Sequence, residues 1–329
     1  MTKRAFSTIA PVALGRQLRP GQGTMDARVP WLVGLGQRLG RWADSLDARD
    51  YQILFLAVFL SLGFAARDWT LRPEFIATIL LNCLLTQALA VTVVNRRLRS
   101  QKLASPPDSA VPPIALLPSL KSALITALGL CLLLRANSYT TVAIAASLAI
   151  LSKFIFRVRN KHCFNPANFG IIAALVLMPD AWVSPGQWGT DWWYALLFAG
   201  TGGMVLKRVG RWDTTAAFLG LYALMEAFRN SWLGWTWDVW WHQLMSGSLL
   251  LFALFMVTDP RSIPNARVAR LLWAAAIAGL TFFLQHQFYL STAVFWALFA
   301  LSPVTILLDW LLPASRFHWA KPAQLKMQS

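Results

Sequence analysis

Two polar, helix-breaking segments interrupt an otherwise apolar chain, and they carry the groups best suited to hold a ligand. The first is Lys161-His162-Cys163-Phe164-Asn165-Pro166-Ala167-Asn168-Phe169-Gly170. Asn165 can cap a helix that begins at Pro166, which leaves free backbone N–H groups and the positive end of the helix dipole at that border. Asn168 follows at i+3, so both amides can face one ligand. The second is Thr258-Asp259-Pro260, in which Asp259 supplies a carboxylate acceptor and Pro260 stops the helix. A carboxylate and two amides at a membrane border are costly unless paired, which makes them a candidate site. The structural alternative is that Asn165 and Asp259 only cap helices, with Asp259 paired to Arg261 or Arg157.

Other chemistry is sparse. There is no GxSxG, HExxH, P-loop or GxGxxG pattern, so hydrolase and nucleotide-binding classes drop away and no catalytic residue is assigned. His162, His242, His286 and His318 lie near the ends of apolar runs on mixed sides, which does not suit a haem pair, and the residues suggest no metal site. Glu226 and Asp309 are the remaining acids within apolar runs and are candidates for an ion or proton path. Gly200-Thr201-Gly202-Gly203 and Ser246-Gly247-Ser248 insert small residues into apolar runs, where close helix packing is the favoured use.

The elements that must position these groups follow from composition. The 329 residues are 57% hydrophobic and 13% charged, with a net charge of +16. Soluble domains carry roughly 25% charged residues, so this chain reads as a membrane protein. Apolar runs at about 51–66, 74–94, 114–134, 139–156, 168–183, 192–206, 214–229, 240–257, 269–285 and 289–309 predict ten spans. If the N-terminus is inside, 26 of the 30 Lys and Arg fall on the inner side, leaving only Arg67, Arg72, Arg135 and Arg229 outside. The positive-inside rule therefore predicts both termini in the cytoplasm and accounts for the basic excess without nucleic acid. Residues 1–50 read as a basic tail with an amphipathic interfacial helix near 31–48, and residues 313–329 as a second basic tail. Outer loops hold Trp182, Trp188, Trp192, Trp193, Trp232, Trp235, Trp237, Trp240 and Trp241, chiefly as anchors at the headgroup boundary. Ten spans with both ends inside fit two five-helix halves, the second inverted.

The motifs FNPANFG (164–170), preceded by Ser152-Lys153-Phe154 and Lys161-His162, and FMVTDP (255–260) resemble one family of membrane proteins. This NqrB/RnfD family comprises NqrB of the sodium-translocating NADH:quinone oxidoreductase and RnfD of the Rnf electron-transport complex. The resemblance is read over roughly residues 51–312. It implies an all-α polytopic fold of ten helices in two inverted repeats, related in shape to urea and ammonium channels. It also implies flavin-mediated electron transfer in the bacterial inner membrane, with quinone or a redox partner protein and other electron-transfer subunits as partners. A non-covalent riboflavin or FMN near the two motifs would meet Asn165, Pro166, Asn168, Phe169, Gly170, Thr258, Asp259 and Pro260. Covalent FMN is not expected, because the Ser-Gly-Ala-Thr attachment sequence is absent and Val183-Ser184-Pro185-Gly186-Gln187-Trp188-Gly189-Thr190 stands in the corresponding loop. The chain reads as a divergent or stand-alone member. The competing function is a transporter or channel for a small solute or ion on the same inverted-repeat fold, and a third is a scaffold within a larger assembly.

Overall fold

The computed structural model describes residues 47–66, 72–104, 113–159, 161–184 and 192–317. Most of the expected N-terminal tail and interfacial helix, the loop holding Thr190 and the end of the C-terminal tail lie outside these residues. In chain order the helices are α1 (Ala48–Ala66), α2 (Pro73–Ala104), α3 (Leu116–Leu133), α4 (Tyr139–Ile155), α5 (Pro166–Leu177) and α6 (Trp192–Val209). They continue as α7 (Trp212–Trp232), α8 (Trp237–Leu244), α9 (Gly247–Leu251), α10 (Arg267–Gln287), α11 (Ala293–Leu301) and α12 (Val304–Leu311). A π-helical turn, Phe252–Met256, extends α9. Each predicted apolar run contains a helix or a pair of short helices, although the run at 168–183 leaves its helix after Leu177 and ends in a short strand.

Among the described residues, α1, α2, α3 and α10 are long and apolar enough to cross a bilayer, and two bent pairs raise the number to six. Those pairs are α8 with α9 plus its π turn, bent by 48°, and α11 with α12, bent by 46°. The run at 289–309 thus does not form one straight helix, because Pro303 has no N–H to continue the ladder. Ser302 Oγ and Thr305 Oγ1 instead take the carbonyls of Leu298 and Ser302 at 2.6 and 2.7 Å. The 12 residues of α5 reach about 18 Å, short of a roughly 30 Å hydrocarbon core.

Local chemistry sets the helix ends. Asp47 Oδ1 accepts from Arg49 N at 2.7 Å while Asp50 Oδ2 accepts from Asp47 N at 3.1 Å, a reciprocal cap that starts α1 before the predicted run. Ser138 caps α4 through Thr140 N. Two short β pairs interrupt the helical architecture: β1 (Leu134–Ala136) runs antiparallel to β4 (Ala181–Val183), and β2 (Arg157–Val158) to β3 (Lys161–His162). One continuous apolar core joins Phe59, Ile79, Leu130, Ile150, Ile171, Phe198, Phe218, Phe252, Trp273 and Phe295, each from a different segment.

Candidate functional site

The two helix-breaking segments meet at one cavity. It measures about 420 Å³ and is lined by Asn165, Pro166, Thr258, Asp259 and Pro260 together with parts of α1 to α4, α6 and the π turn. The join is direct. Asn165 Oδ1 accepts from Asn168 N at 3.1 Å, capping α5, and its Nδ2 donates to Met256 O at 3.3 Å. Met256 closes the π turn, where Val257 N reaches back five residues to Phe252 O at 3.0 Å. A π turn widens the backbone at a position often used for function, and here it stands one residue before Thr258. Asp259 then folds into a turn: Oδ1 accepts from Arg261 N and Oδ2 from Ser262 Oγ, both at 3.1 Å.

The remaining motif residues sit elsewhere. Asn168 is fully buried and donates through Nδ2 to Phe295 O at 3.1 Å, so its amide faces α11 and only Asn165 lines the cavity. Phe169 joins Phe156, Phe164 and Phe299 in a ring cluster that seats the β2–β3 hairpin against α11, with Phe164 stacked on Phe299 at 4.9 Å. Gly170 allows α5 to approach α4: a Cβ there would stand 2.7 Å from Ala149 Cβ and 2.8 Å from Ala145 O. Glu226 is buried and meets His286 Nε2 at 2.6 Å, beside a Tyr222 hydroxyl that donates to Gln285 Oε1 at 2.8 Å. Asp309 accepts from Asn265 N at 2.7 Å and forms an ion pair with Lys161. Glu226 and Asp309 both lie outside the cavity lining.

Several lining residues were not singled out from the sequence. Gln87 in α2 is 4% exposed, donates to Ser119 Oγ and leaves its Oε1 without a partner. A polar side chain in the middle of an apolar run was the available signal. Lys153, in the last turn of α4, points inward and donates to Ser122 O at 3.1 Å. Arg157 and Arg261 also line the cavity, as do the rings of Phe154 and Phe255. His162 Nδ1 meets Lys153 O at 3.1 Å, and since a carbonyl only accepts, Nδ1 carries the proton and Nε2 is left as an acceptor. Burial first, then Arg261, Lys153 and Arg157, hold His162 down to about 3, so it is neutral at cellular pH. Burial likewise lowers Lys161, with Asp309 acting in the opposite sense.

Segments expected on the inner side thus gather around this cavity: Arg49, Lys153, Arg157, Asp259 and Arg261 all line it, and Arg208 reaches Tyr51 Oη at 3.1 Å. Nearby, Asp213 holds Arg270 at 2.6 Å, with both side chains only 6% exposed. Trp232, Trp235, Trp237 and Trp241 are exposed, Trp240 is half-buried and donates through Nε1 to Ala223 O at 2.8 Å, and Trp235 lies 4.7 Å beneath the Arg229 guanidinium. In Gly200-Thr201-Gly202-Gly203, Gly202 packs on Leu254 and Thr201 Oγ1 donates to Leu197 O at 2.6 Å, so that insertion serves helix packing.

Helix content and apolar surface define an all-α polytopic membrane protein with a polar cavity between helix breaks. Within that class, residues 183–317 match the model of the NQR2, RnfD, RnfE family. The matched region contains Thr258-Asp259-Pro260 but not the Asn165 motif, so it is narrower than the 51–312 over which the motifs suggested a resemblance. The D subunit of an ion-translocating oxidoreductase complex from Vibrio vulnificus (strain YJ016) is 33% identical over 100 residues, 30% of this chain and 28% of the relative. Its namesake from Actinobacillus pleuropneumoniae serotype 5b (strain L20) is 28% identical over 103 residues, 31% of this chain and 30% of the relative. The chain therefore spans less than a third of the length of these curated relatives.

Proposed function

We propose that this chain is an electron-transfer subunit of an ion-translocating oxidoreductase complex, and that the inner cavity holds a flavin without a covalent bond. The observation that carries the reading is the meeting of Asn165-Pro166 and Thr258-Asp259-Pro260 on one cavity through the Asn165 to Met256 hydrogen bond. A volume of about 420 Å³ lies within the roughly 300–1,000 Å³ of small-molecule sites. The donor set also fits. Leu132, Val205, Leu206 and the Phe255 ring offer apolar walls for a flat ring system, while Thr258, Asp259 and the unpartnered Gln87 Oε1 offer polar contacts at its edge.

Each residue has a distinct part. A bound flavin would supply one- and two-electron transfer, chemistry that no side chain here provides. Asp259 accepts hydrogen bonds from ring N–H or ribityl hydroxyl groups. Asn165 is a positioning residue, since both ends of its amide are committed and it ties the start of α5 to the π turn. The apolar walls exclude water from the ring face. Ten crossings in two inverted halves, both termini in the cytoplasm and residence in a bacterial inner membrane complete the reading, with other members of the complex and quinone as partners. The clustering of inner-side cations at the cavity supports that orientation.

The test is the absorption spectrum of the protein purified after expression with ample riboflavin. Yellow protein is expected, releasing its flavin on denaturation. Asp259→Ala should weaken flavin binding at least about tenfold, the scale of one lost hydrogen bond to a charged group, without unfolding the protein. Colourless, flavin-free protein would sink the proposal.

A further inference from the structure

Outside the cavity lining, cations outnumber acids where α7 and α10 begin. Asp213 in the first turn of α7 holds Arg270 in the first turn of α10 at 2.6 Å, so the two helices start side by side. That carboxylate is fully committed. Its Oδ1 also accepts from Thr214 N at 3.0 Å, and Arg270 places its remaining Nη1 on Asn265 O at 2.6 Å. Arg267 reaches the same carboxylate only at 3.6 Å, longer than a hydrogen bond, and its side chain is 67% exposed. The other acid here, Asp309, already takes Lys161 and Asn265 N. Arg211, the residue before α7, lies in the field of Arg270, Asp213 and Asp309, yet among the described residues no carboxylate pairs with it. Its Nε is buried without an acceptor, and its guanidinium lies 5.7 Å from the Phe317 ring. Lys161, Arg211, Arg267 and Arg270 thus meet Asp213 and Asp309, an excess of two positive charges (4 − 2). Arg211 and Arg267 hold that excess.

Apolar surface adjoins these two cations. Trp212 follows Arg211 in the chain, lies 6.0 Å beneath the Arg267 guanidinium and is 58% exposed. Leu271, one turn after Arg267 on the same face of α10, is exposed, and so are Val268 and Leu272. The 21 residues of α10 reach about 31 Å, close to the roughly 30 Å of hydrocarbon, which sets Arg267 at the headgroup border and Leu271 and Leu272 one turn inside it. An acidic protein would match the charge alone. A phospholipid matches both features, because a guanidinium pairs its N–H groups with phosphate oxygens while the strip beneath receives an acyl chain. We propose that Arg211 and Arg267 bind the phosphate of an anionic phospholipid, with Trp212 at the headgroup boundary and an acyl chain along Leu271 and Leu272. Phosphatidylcholine has the same phosphate but brings a cation of its own, so it leaves the excess in place.

The experiment uses the full chain, delipidated in a neutral detergent and titrated with phosphatidylglycerol or phosphatidylcholine of identical acyl chains, with bound lipid counted by native mass spectrometry. The first phosphatidylglycerol should bind at least about tenfold tighter than phosphatidylcholine, with the gap shrinking as salt rises. Arg211→Gln and Arg267→Gln should each reduce that preference, and the double variant should abolish it. Arg97→Gln, which removes an exposed cation from α2, should leave it unchanged. Should Arg211→Gln fail to fold, the largely exposed Arg267 keeps the test open. Equal affinity for the two lipids overturns the proposal. So does an equal loss in Arg97→Gln, which would mean that basic charge in general attracts the lipid. Glycerophosphoglycerol, the same headgroup without acyl chains, should compete only weakly; if it or inorganic phosphate displaces the lipid at matching concentration, the site takes a free phosphate and the lipid assignment falls.

Discussion

The first half of the chain, α1 to α5, and the second, α6 to α12, repeat one set of neighbours. In each half the first element packs on the third, the second on the third and fourth, and the fourth on the fifth. The third and fifth elements of the second half are the bent pairs α8–α9 and α11–α12. A finer correspondence lies at the ends. Asp180, just after α5, accepts from Asn137 N and Ser138 N at 3.2 and 2.9 Å, satisfying backbone ahead of α4. Asp309, in α12, accepts from Asn265 N at 2.7 Å ahead of α10. The acid from the fifth element thus serves the start of the fourth in both halves. The partners then differ: Asp180 takes the Thr141 hydroxyl at 2.7 Å, whereas Asp309 takes the Lys161 ammonium from the other half. The shared framework is scaffold. What distinguishes the two ends is cationic charge, and the cationic end is where the cavity lies.

The largest effect should come from breaking that ion pair. Asp309→Ala strands Lys161, whose side chain is only 16% exposed, and leaves Asn265 N–H without its acceptor. A loss on the order of 3 kcal/mol is expected, read as a fall in thermal unfolding temperature in detergent. Asp180→Ala removes the equivalent acceptor where, among the described residues, no cation pairs with it, so its fall should be clearly smaller. Equal losses would break the comparison and show that charge adds nothing at the Lys161 end.

Glycines sharpen the contrast between the halves. Gly170→Ala would drive a methyl group against Ala149 Cβ and the Ala145 carbonyl, neither of which can rotate away. Overpacking of this kind costs about 1–3 kcal/mol. Gly202→Ala first meets Leu254 Cδ1 and Cδ2, at 2.8 and 2.9 Å, which can swing away by a change of rotamer, while Leu254 Cβ at 3.0 Å needs a shift of only a few tenths of an ångström. Its cost should stay below about 1 kcal/mol, measured by the same unfolding assay.

Much of this arrangement was legible in the sequence, and the reasons for the rest are specific. The ten apolar runs mark every major helix because hydrophobic length is a local property. Asn165-Pro166 marks the start of α5 for the same reason, since a cap and a proline act within one turn. Partner choice is not local. That Asn168 turns to Phe295 O, or that Arg270 turns inward to Asp213, depends on residues 127 and 57 positions away. Arg270 and Lys153 entered the sequence reading as inner-side charges, yet a count of charges says nothing about which of them face the protein interior. The π turn at 252–256 left no trace in an apolar stretch of ordinary composition.

The two histidines facing carboxylate and cations give the finest test. His286 sits on the Glu226 carboxylate at 2.6 Å, whereas His162 is surrounded by Lys153, Arg157 and Arg261 and donates to a carbonyl. With a folded value near 3 against 6.5 for the unfolded chain, His162 binds fewer protons folded than unfolded between those limits. Stability from this group is therefore complete above about pH 6.5 and is lost as pH falls toward 3, with a slope of at most about 1.4 kcal/mol per pH unit. His162→Gln keeps a donor for Lys153 O and cannot titrate, so its unfolding temperature should fall less than that of the parent between pH 6.5 and 4.5. A parent and variant that fall in parallel would mean that protonation elsewhere governs the acid limb and that the cations around the cavity do not reach His162.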